Sequence, residues 1–318
     1  MWLLYASASA VCFGLRGILY QWTSKKPIDR NMLLLGVYVS GTLVALIANG
    51  FIRQPWTTGA WIGILMGLFS FASNASMYKG FAVGKASLVA ILTALPPVVV
   101  VGIAFLLWGE KLNAWQTFSF AVIVAGILMV RYSNDISLKN LQGAHWGILA
   151  MLMFGFTDLA SKQSTLLGGQ TLPTLTVMYA TGSLLFLLSG AAARMRERQR
   201  GTRHASDAKA RAETAAGREA VASKTAPETL TPVPAPQWPL VRTLLWGMVV
   251  GLTNISGMML VLPAFRLGVT GLVSAVIAAN VLLILLYARF VLKEKFSRLE
   301  IGGMVLAIAG ILILRVTG

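Results

Sequence analysis

Residues 63–81 read GILMGLFSFASNASMYKGF, and residues 247–265 read GMVVGLTNISGMMLVLPAF. The two stretches share Gly63/Gly247, Gly67/Gly251 and Phe81/Phe265 at a constant offset of 184. Followed outward without a gap, the same diagonal pairs Gly84 with Gly268, Glu110 with Glu294, Lys111 with Lys295, Gly126 with Gly310 and Arg131 with Arg315. Upstream the offset falls to 141: Phe13-Gly14 meets Phe154-Gly155, and Tyr38, Gly41 and Leu43 meet Tyr179, Gly182 and Leu184. Internal self-similarity of this kind sets the architecture before any short motif is weighed. The two offsets differ by 43 residues, which marks one insertion in the second copy.

Composition says what the copies are made of. Hydrophobic residues are 56% and charged residues 12% of the chain, where a soluble domain carries about 25% charge. The apolar residues come in blocks of roughly 17–25, enough to cross about 30 Å of hydrocarbon as helix. The fold class expected is therefore an all-α membrane protein. A barrel is excluded, because its strands would alternate rather than run apolar throughout. The net charge of +16 invites a nucleic-acid reading, but residues 194–242 alone hold ten Lys/Arg against five Asp/Glu. The remaining basic residues lie mostly at helix ends, where they orient spans and meet anionic lipid, so no nucleic-acid partner is expected. Cys12 is the only cysteine and lies in an apolar run. No disulfide, metal site or cofactor is expected. Residues 2–20 lack the basic leader of a signal peptide and have a counterpart in the second copy, so they are read as a span.

Ten transmembrane helices are expected, near 2–20, 31–51, 59–80, 84–107, 113–131, 143–162, 173–193, 240–263, 268–291 and 297–316. Residues 1–131 form the first five-helix repeat. Residues 132–193 and 240–318 form the second. Five is odd, so the second copy inserts upside down, giving two inverted five-helix repeats, the plan of many secondary carriers. Residues 194–239 open with Arg194, Arg196, Arg198, Arg200 and Arg203 and close with Pro232, Pro234, Pro236 and Pro239. They offer no apolar face and are read as a disordered basic, Pro-rich linker between spans 7 and 8. Lysine and arginine counts place this linker in the cytoplasm, beside anionic lipid, and both termini outside.

The Phe-Gly of the first helix in each copy (Phe13-Gly14, Phe154-Gly155) and the fourth helix ending in Gly109-Glu110-Lys111-Leu112 or Lys293-Glu294-Lys295-Phe296 resemble the EamA-type transporters of the drug/metabolite transporter superfamily. The resemblance covers the chain except the linker. It implies a bacterial inner-membrane carrier of small organic solutes, with both termini in the cytoplasm, the opposite of the charge bias. The superfamily's four-helix multidrug exporters carry a glutamate in their first helix. Here Gly14 and Arg16, or Thr157 and Asp158, occupy that region.

Ionisable groups inside spans cost roughly 2.5–3.5 kcal/mol or more and are functional candidates. Arg16 can hold a carboxylate or phosphate in bidentate fashion. Asp158 is a candidate coupling residue, with a proton as the coupled ion, or a cation ligand. The structural alternatives are a local Asp158–Lys162 pair on one helix face, and an Arg16–Asp158 bridge between copies. Asn74 with Ser70, Ser73 and Tyr78, and Asn254 with Thr253 and Ser256, form two polar stripes expected to line a cavity or to join helices. Pro96-Pro97 predicts a kink that exposes carbonyls, with Asn280 at the equivalent place in the second copy. Gly63-x-x-x-Gly67 and Gly247-x-x-x-Gly251 are read as packing faces. Glu110 and Glu294 are read as caps for the amides opening the following helix. Tryptophans such as Trp22, Trp108 and Trp238 read as interfacial anchors.

No phosphate-binding glycine loop, paired-histidine motif or nucleophile elbow is present, and an enzyme is not expected. The leading expectation is a secondary carrier, monomer or homodimer, moving an amino acid-like metabolite or organic cation through a cavity lined by spans 1, 3, 4, 6, 8 and 9. Arg16, Asn74, Tyr78, Pro96, Asp158, Asn254 and Asn280 are its expected binding residues. A lipid or lipid-linked-sugar flippase, and a regulator docking through the basic linker, are the alternatives.

Overall fold

The computed structural model describes residues 1–24, 26–83, 86–131, 143–216, 238–291, 293 and 297–317. Every regular element among them is a helix. The first copy holds α1 (Trp2–Ser24), α2 (Arg30–Ile52), a 3-10 turn (Thr58–Ile62) leading into α3 (Gly63–Val83), α4 (Ala86–Leu92), α5 (Pro96–Trp108) and α6 (Ala114–Arg131). The second holds α7 (Ala144–Leu166), α8 (Thr171–Ala216), α9 (Leu240–Leu267), α10 (Thr270–Ala278), α11 (Asn280–Phe290) and α12 (Arg298–Thr317).

Nine stretches among the described residues are long and apolar enough to cross a membrane, and they make this a multi-pass membrane protein. The tenth expected span, α7, has the length but not the apolarity, because Asp158, Lys162 and a run of hydroxyl residues interrupt it. Lys162 and the hydroxyl residues Thr157, Ser161, Ser164 and Thr165 are buried and Asp158 is half-buried, so lipid meets little of this polarity.

Two expected spans are broken into half-helices. The fourth is α4 and α5, separated by Thr93–Leu95, with Pro96 and Pro97 opening α5. Proline lacks the amide that a continuous helix needs there, and its fixed φ suits a first turn. The ninth is α10 and α11, separated at Ala279, with Asn280 opening α11. Asn280 Nδ2 donates to the Ile277 carbonyl at 2.9 Å, satisfying an acceptor freed by the break. Pro96 and Asn280 thus occupy the same place, the start of a second half-helix, by different chemistry.

Helix α8 corrects the reading of the linker. It leaves the apolar region near Ala193 and continues as helix to Ala216, so the first half of the segment expected to be disordered is regular. Alanine, arginine, glutamate and lysine are good helix formers, and extending an existing helix avoids the nucleation cost. Residues 217–237, including Pro232, Pro234 and Pro236, lie outside the described residues.

Packing pairs helices across the two copies. Helix α2 lies against α8 and α9, α3 against α7 and α8, α1 against α9, and α6 against α12. Glycines set the distances. A Cβ on Gly63 would strike the Thr174 carbonyl, and one on Gly247 would strike the Leu33 carbonyl. A Cβ on Gly67 would meet the Met178 carbonyl, and one on Gly251 the Val37 carbonyl. Thr174 and Met178 are the offset-141 partners of Leu33 and Val37, so each contact has a mate with the copies exchanged. Likewise Gly41 receives the ring of Tyr179, and Gly182 the ring of Tyr38. The Phe-Gly motif meets the two helix breaks, with room for a Cβ at Gly155 but not at Gly14. Gly14 abuts Asn280 and Leu283 at one helix break, and Gly155 abuts Pro96 and Val99 at the other.

Candidate functional site

A cavity of about 830 Å³ lies between the copies. The first copy contributes Arg16, Asn74, Pro96 and Arg131 to its wall, and the second Asp158, Asn254, Ser274 and Asn280. Six of the seven residues singled out in the sequence therefore share one cavity. Nothing is described for the side chain of Tyr78. Helices α2, α6 and α8 also reach the wall, through Arg30 and Leu33, Arg131, and Met178, which widens the expected set of lining spans.

Arg16 enters from α1 and donates through Nη1 to Asn254 Oδ1, while its guanidinium carbon lies 4.6 Å from the Phe13 ring centroid and 5.9 Å from that of Tyr20. Asn254 is buried and fixed from its other side, donating Nδ2 to the Tyr179 hydroxyl at 2.9 Å. The mate of Asn254, Ser70, bonds the mate of Tyr179, Tyr38. Asn74 Nδ2 donates to the Ser70 carbonyl at 2.7 Å. Of the second polar stripe only Asn254 reaches the cavity. Thr253 and Ser256 return their hydroxyls to carbonyls of their own helix, and Ser256 is exposed.

Asp158 accepts from the Ser274 hydroxyl, placing α7 against the half-helix α10. Neither of the two pairings offered as structural alternatives is formed. No bridge joins Arg16 to Asp158, since each has another partner. Lys162 does not pair with Asp158 either. Its ammonium lies 3.3 Å from Glu110 Oε1 and donates to the carbonyls of Phe265 at 2.9 Å and Gly268 at 3.1 Å. An ammonium has three donors, and at this buried place they go to the end of α9 and to a carboxylate.

Glu110 is held by the turn before it. Gly109 adopts a left-handed φ of 65° that closes α5, and Lys293, its mate, takes φ 57°. Glu110 then accepts from the Thr270 amide and hydroxyl, both at 2.8 Å. It caps a helix as expected, but α10 of the other copy rather than the next helix in its own. Glu294 lies outside the described residues.

The two ends of the cavity therefore differ. Toward the end where α5 and α9 finish, Glu110, Lys162 and Thr270 tie both copies together, and Arg266 Nη2 donates to the Gly169 carbonyl at 2.7 Å. Toward the other end the wall runs out to Lys26, Pro27, Ile28 and exposed Arg30 in the α1–α2 connection. Trp22, Trp238 and Trp246 cluster beside that mouth, with Trp246 Nε1 donating to Thr23 Oγ1 at 2.9 Å. Here tryptophan joins helices.

This arrangement, with broken helices flanking a polar cavity in an apolar bundle, accompanies a clear match in sequence. Residues 1–132 match the EamA-like transporter family. The EamA-like region coincides with the first copy, and the family is one of membrane transporters. One solved crystal structure superposes over 99% of this chain and 98% of its own, with TM-score 0.69 at 14% identity, a likeness of fold. No curated protein matches the chain. The EamA-like resemblance read from Phe-Gly and Gly-Glu-Lys thus stands on a family model as well as on those motifs.

Sequence reading missed three residues of the wall or its support. Arg131 lines the cavity, although its position at a helix end reads as an interfacial anchor. Tyr38 and Tyr179 served only as markers of the repeat, and they hold Ser70 and Asn254. Their signal was that they are hydroxyl-bearing residues on the diagonal, at mid-span.

Proposed function

We propose that the chain is a secondary carrier that moves a small polar organic solute by alternating access between two inverted five-helix copies. The observation that supports this best is the cavity itself, lined by both copies, reaching one end of the bundle and tied shut at the other by Glu110, Lys162 and Thr270. The exchange of copies in the contacts of Gly63/Gly247, Gly67/Gly251 and Gly41/Gly182 supports a pseudo-two-fold axis in the membrane plane, and rocking about it would open the tied end while closing the other. Arg16 and Asn254 would contact the solute, and Asp158 would meet its polar end or carry a coupled proton. The basic start of the linker favours a cytoplasmic position for residues 194–239 in a bacterial inner membrane.

The test is solute counterflow in proteoliposomes. Arg16→Ala and Asp158→Ala are each expected to abolish flux while the protein remains in the membrane at normal yield. Wild-type rates in both variants would overturn the assignment. Removing residues 197–235 is expected to leave flux intact, and loss of flux on that deletion would point to a docking role instead.

A further inference from the structure

We infer that the solute is an acid, with its carboxylate or phosphate held by Arg16 and Arg131, and that organic cations are excluded; this rests on the carrier reading of the same cavity. Among the described residues, the charged ones on the wall are Arg16, Lys26, Arg30 and Arg131 against one acid, Asp158. A low-dielectric cleft lined by one sign of charge concentrates the opposite sign. Lys26 and Arg30 stand at the mouth and would draw an anion in. Arg16 lies further into α1, and Arg131 ends α6 on the same wall.

The decisive observation is that the guanidinium groups of Arg16 and Arg131 each keep a donor in reserve. Among the described residues, the buried Nε of Arg16 has no hydrogen-bond partner, and neither has the buried Nε of Arg131. Arginine has five N–H donors in a planar fork that matches an oxyanion. A buried donor without an acceptor is costly, and such groups in folded proteins point to a missing partner. An oxyanion supplies acceptors to both. The repeat sharpens the point. Arg315, the mate of Arg131, is exposed at the end of α12, so position alone does not explain a guanidinium turned into the cavity. Asp158, one turn from the Lys162 tie, offers an acceptor toward the closed end. It suits a solute that carries a hydroxyl or amino group opposite its acid.

The experiment is thermal stabilisation of the purified protein by succinate, L-glutamate, glycerol 3-phosphate, choline and ribose, followed by counterflow with the same compounds. A bound ligand raises Tm by mass action. At least one acid is expected to stabilise, and choline and ribose are not. Succinate or glutamate alone would identify a carboxylate, and glycerol 3-phosphate alone a phosphate. Arg16→Gln and Arg131→Gln are each expected to weaken that acid about tenfold or more, through loss of charge-assisted bonds. Arg131→Lys keeps the charge and is expected to recover part of the loss, which separates ligand binding from misfolding. Stabilisation by choline, by no acid, or by acids equally in wild type and both glutamine variants would overturn the inference. Choline counterflow would do so while leaving the carrier reading intact. Acid binding without counterflow of any compound would retain the acid site and overturn the carrier.

Discussion

Tyr179 is among the largest fully buried side chains in the molecule, yet its hydroxyl faces Asn254, which in turn holds Arg16. Replacing it with phenylalanine keeps the ring packed on Gly41 and removes only that acceptor. The Asn254 amide is then left without a partner, at a cost of about 1–3 kcal/mol. Tyr179→Phe is expected to lower Tm measurably and to raise KM more than it lowers kcat, because the ligand-facing chain of bonds loses its anchor. Unchanged KM in a counterflow assay would separate Tyr179 from binding. The residue scale also shows where sequence reading stops. Asp158 and Lys162 are one turn apart and of opposite charge, so a local pair is the structural alternative the sequence offers. The partner chosen instead, Glu110, is 52 positions away in sequence and belongs to the other copy. No periodicity within α7 carries that information, because the choice depends on where α5 ends. Arg131 and Arg315 are an identical pair in sequence, and only the position of the cavity distinguishes them.

Elements were more legible than residues, and the glycines explain why. Offsets of 184 and 141 identify which glycines are mates, and the pairs Gly63/Gly247, Gly67/Gly251, Gly41/Gly182 and Gly126/Gly310 prove to be points of close approach. Gly247→Ala would place a methyl group against the Leu33 carbonyl and force α2 from α9, an overpacking that costs about 1–3 kcal/mol. Gly102→Ala in α5 meets open space and is expected to change stability by less than about 1 kcal/mol. Thermal unfolding in detergent checks both, and equal effects would refute the close-packing account. The break in the ninth span was less legible. Pro96-Pro97 announces a kink, whereas Ala279-Asn280 has no helix breaker and is recognised only through its mate. The helical run to Ala216 escaped for a different reason. Lack of an apolar face argues against an independent helix, but not against one already nucleated inside the membrane.

At the scale of the whole molecule, the copies are equivalent in packing and unequal in closure. Lys162 and Glu110 tie one end, so weakening them should let water and reagents in from that side. In a Cys12→Ser background, Val261→Cys reports on the cavity wall near the tied end. It is expected to resist a membrane-impermeant thiol reagent applied from that side, and to react several-fold faster once Glu110→Gln is added. Equal labelling with and without Glu110→Gln would show that the ion pair is not what closes this end. The inequality of the ends also has a kinetic consequence. The offset-141 mate of Lys162 is Gln21, a neutral side chain on the cavity wall. Exchanging the roles of the copies would thus trade a charged tie for an uncharged one, and the empty carrier should not populate its two states equally. Apparent affinity falls with the fraction of molecules in the competent state. Solute offered to one face should therefore meet mostly ready carriers, and solute offered to the other mostly carriers that must first turn over. The expected signature is a difference in KM between inward and outward flux, and Lys162→Gln, by making the ends alike, should narrow it.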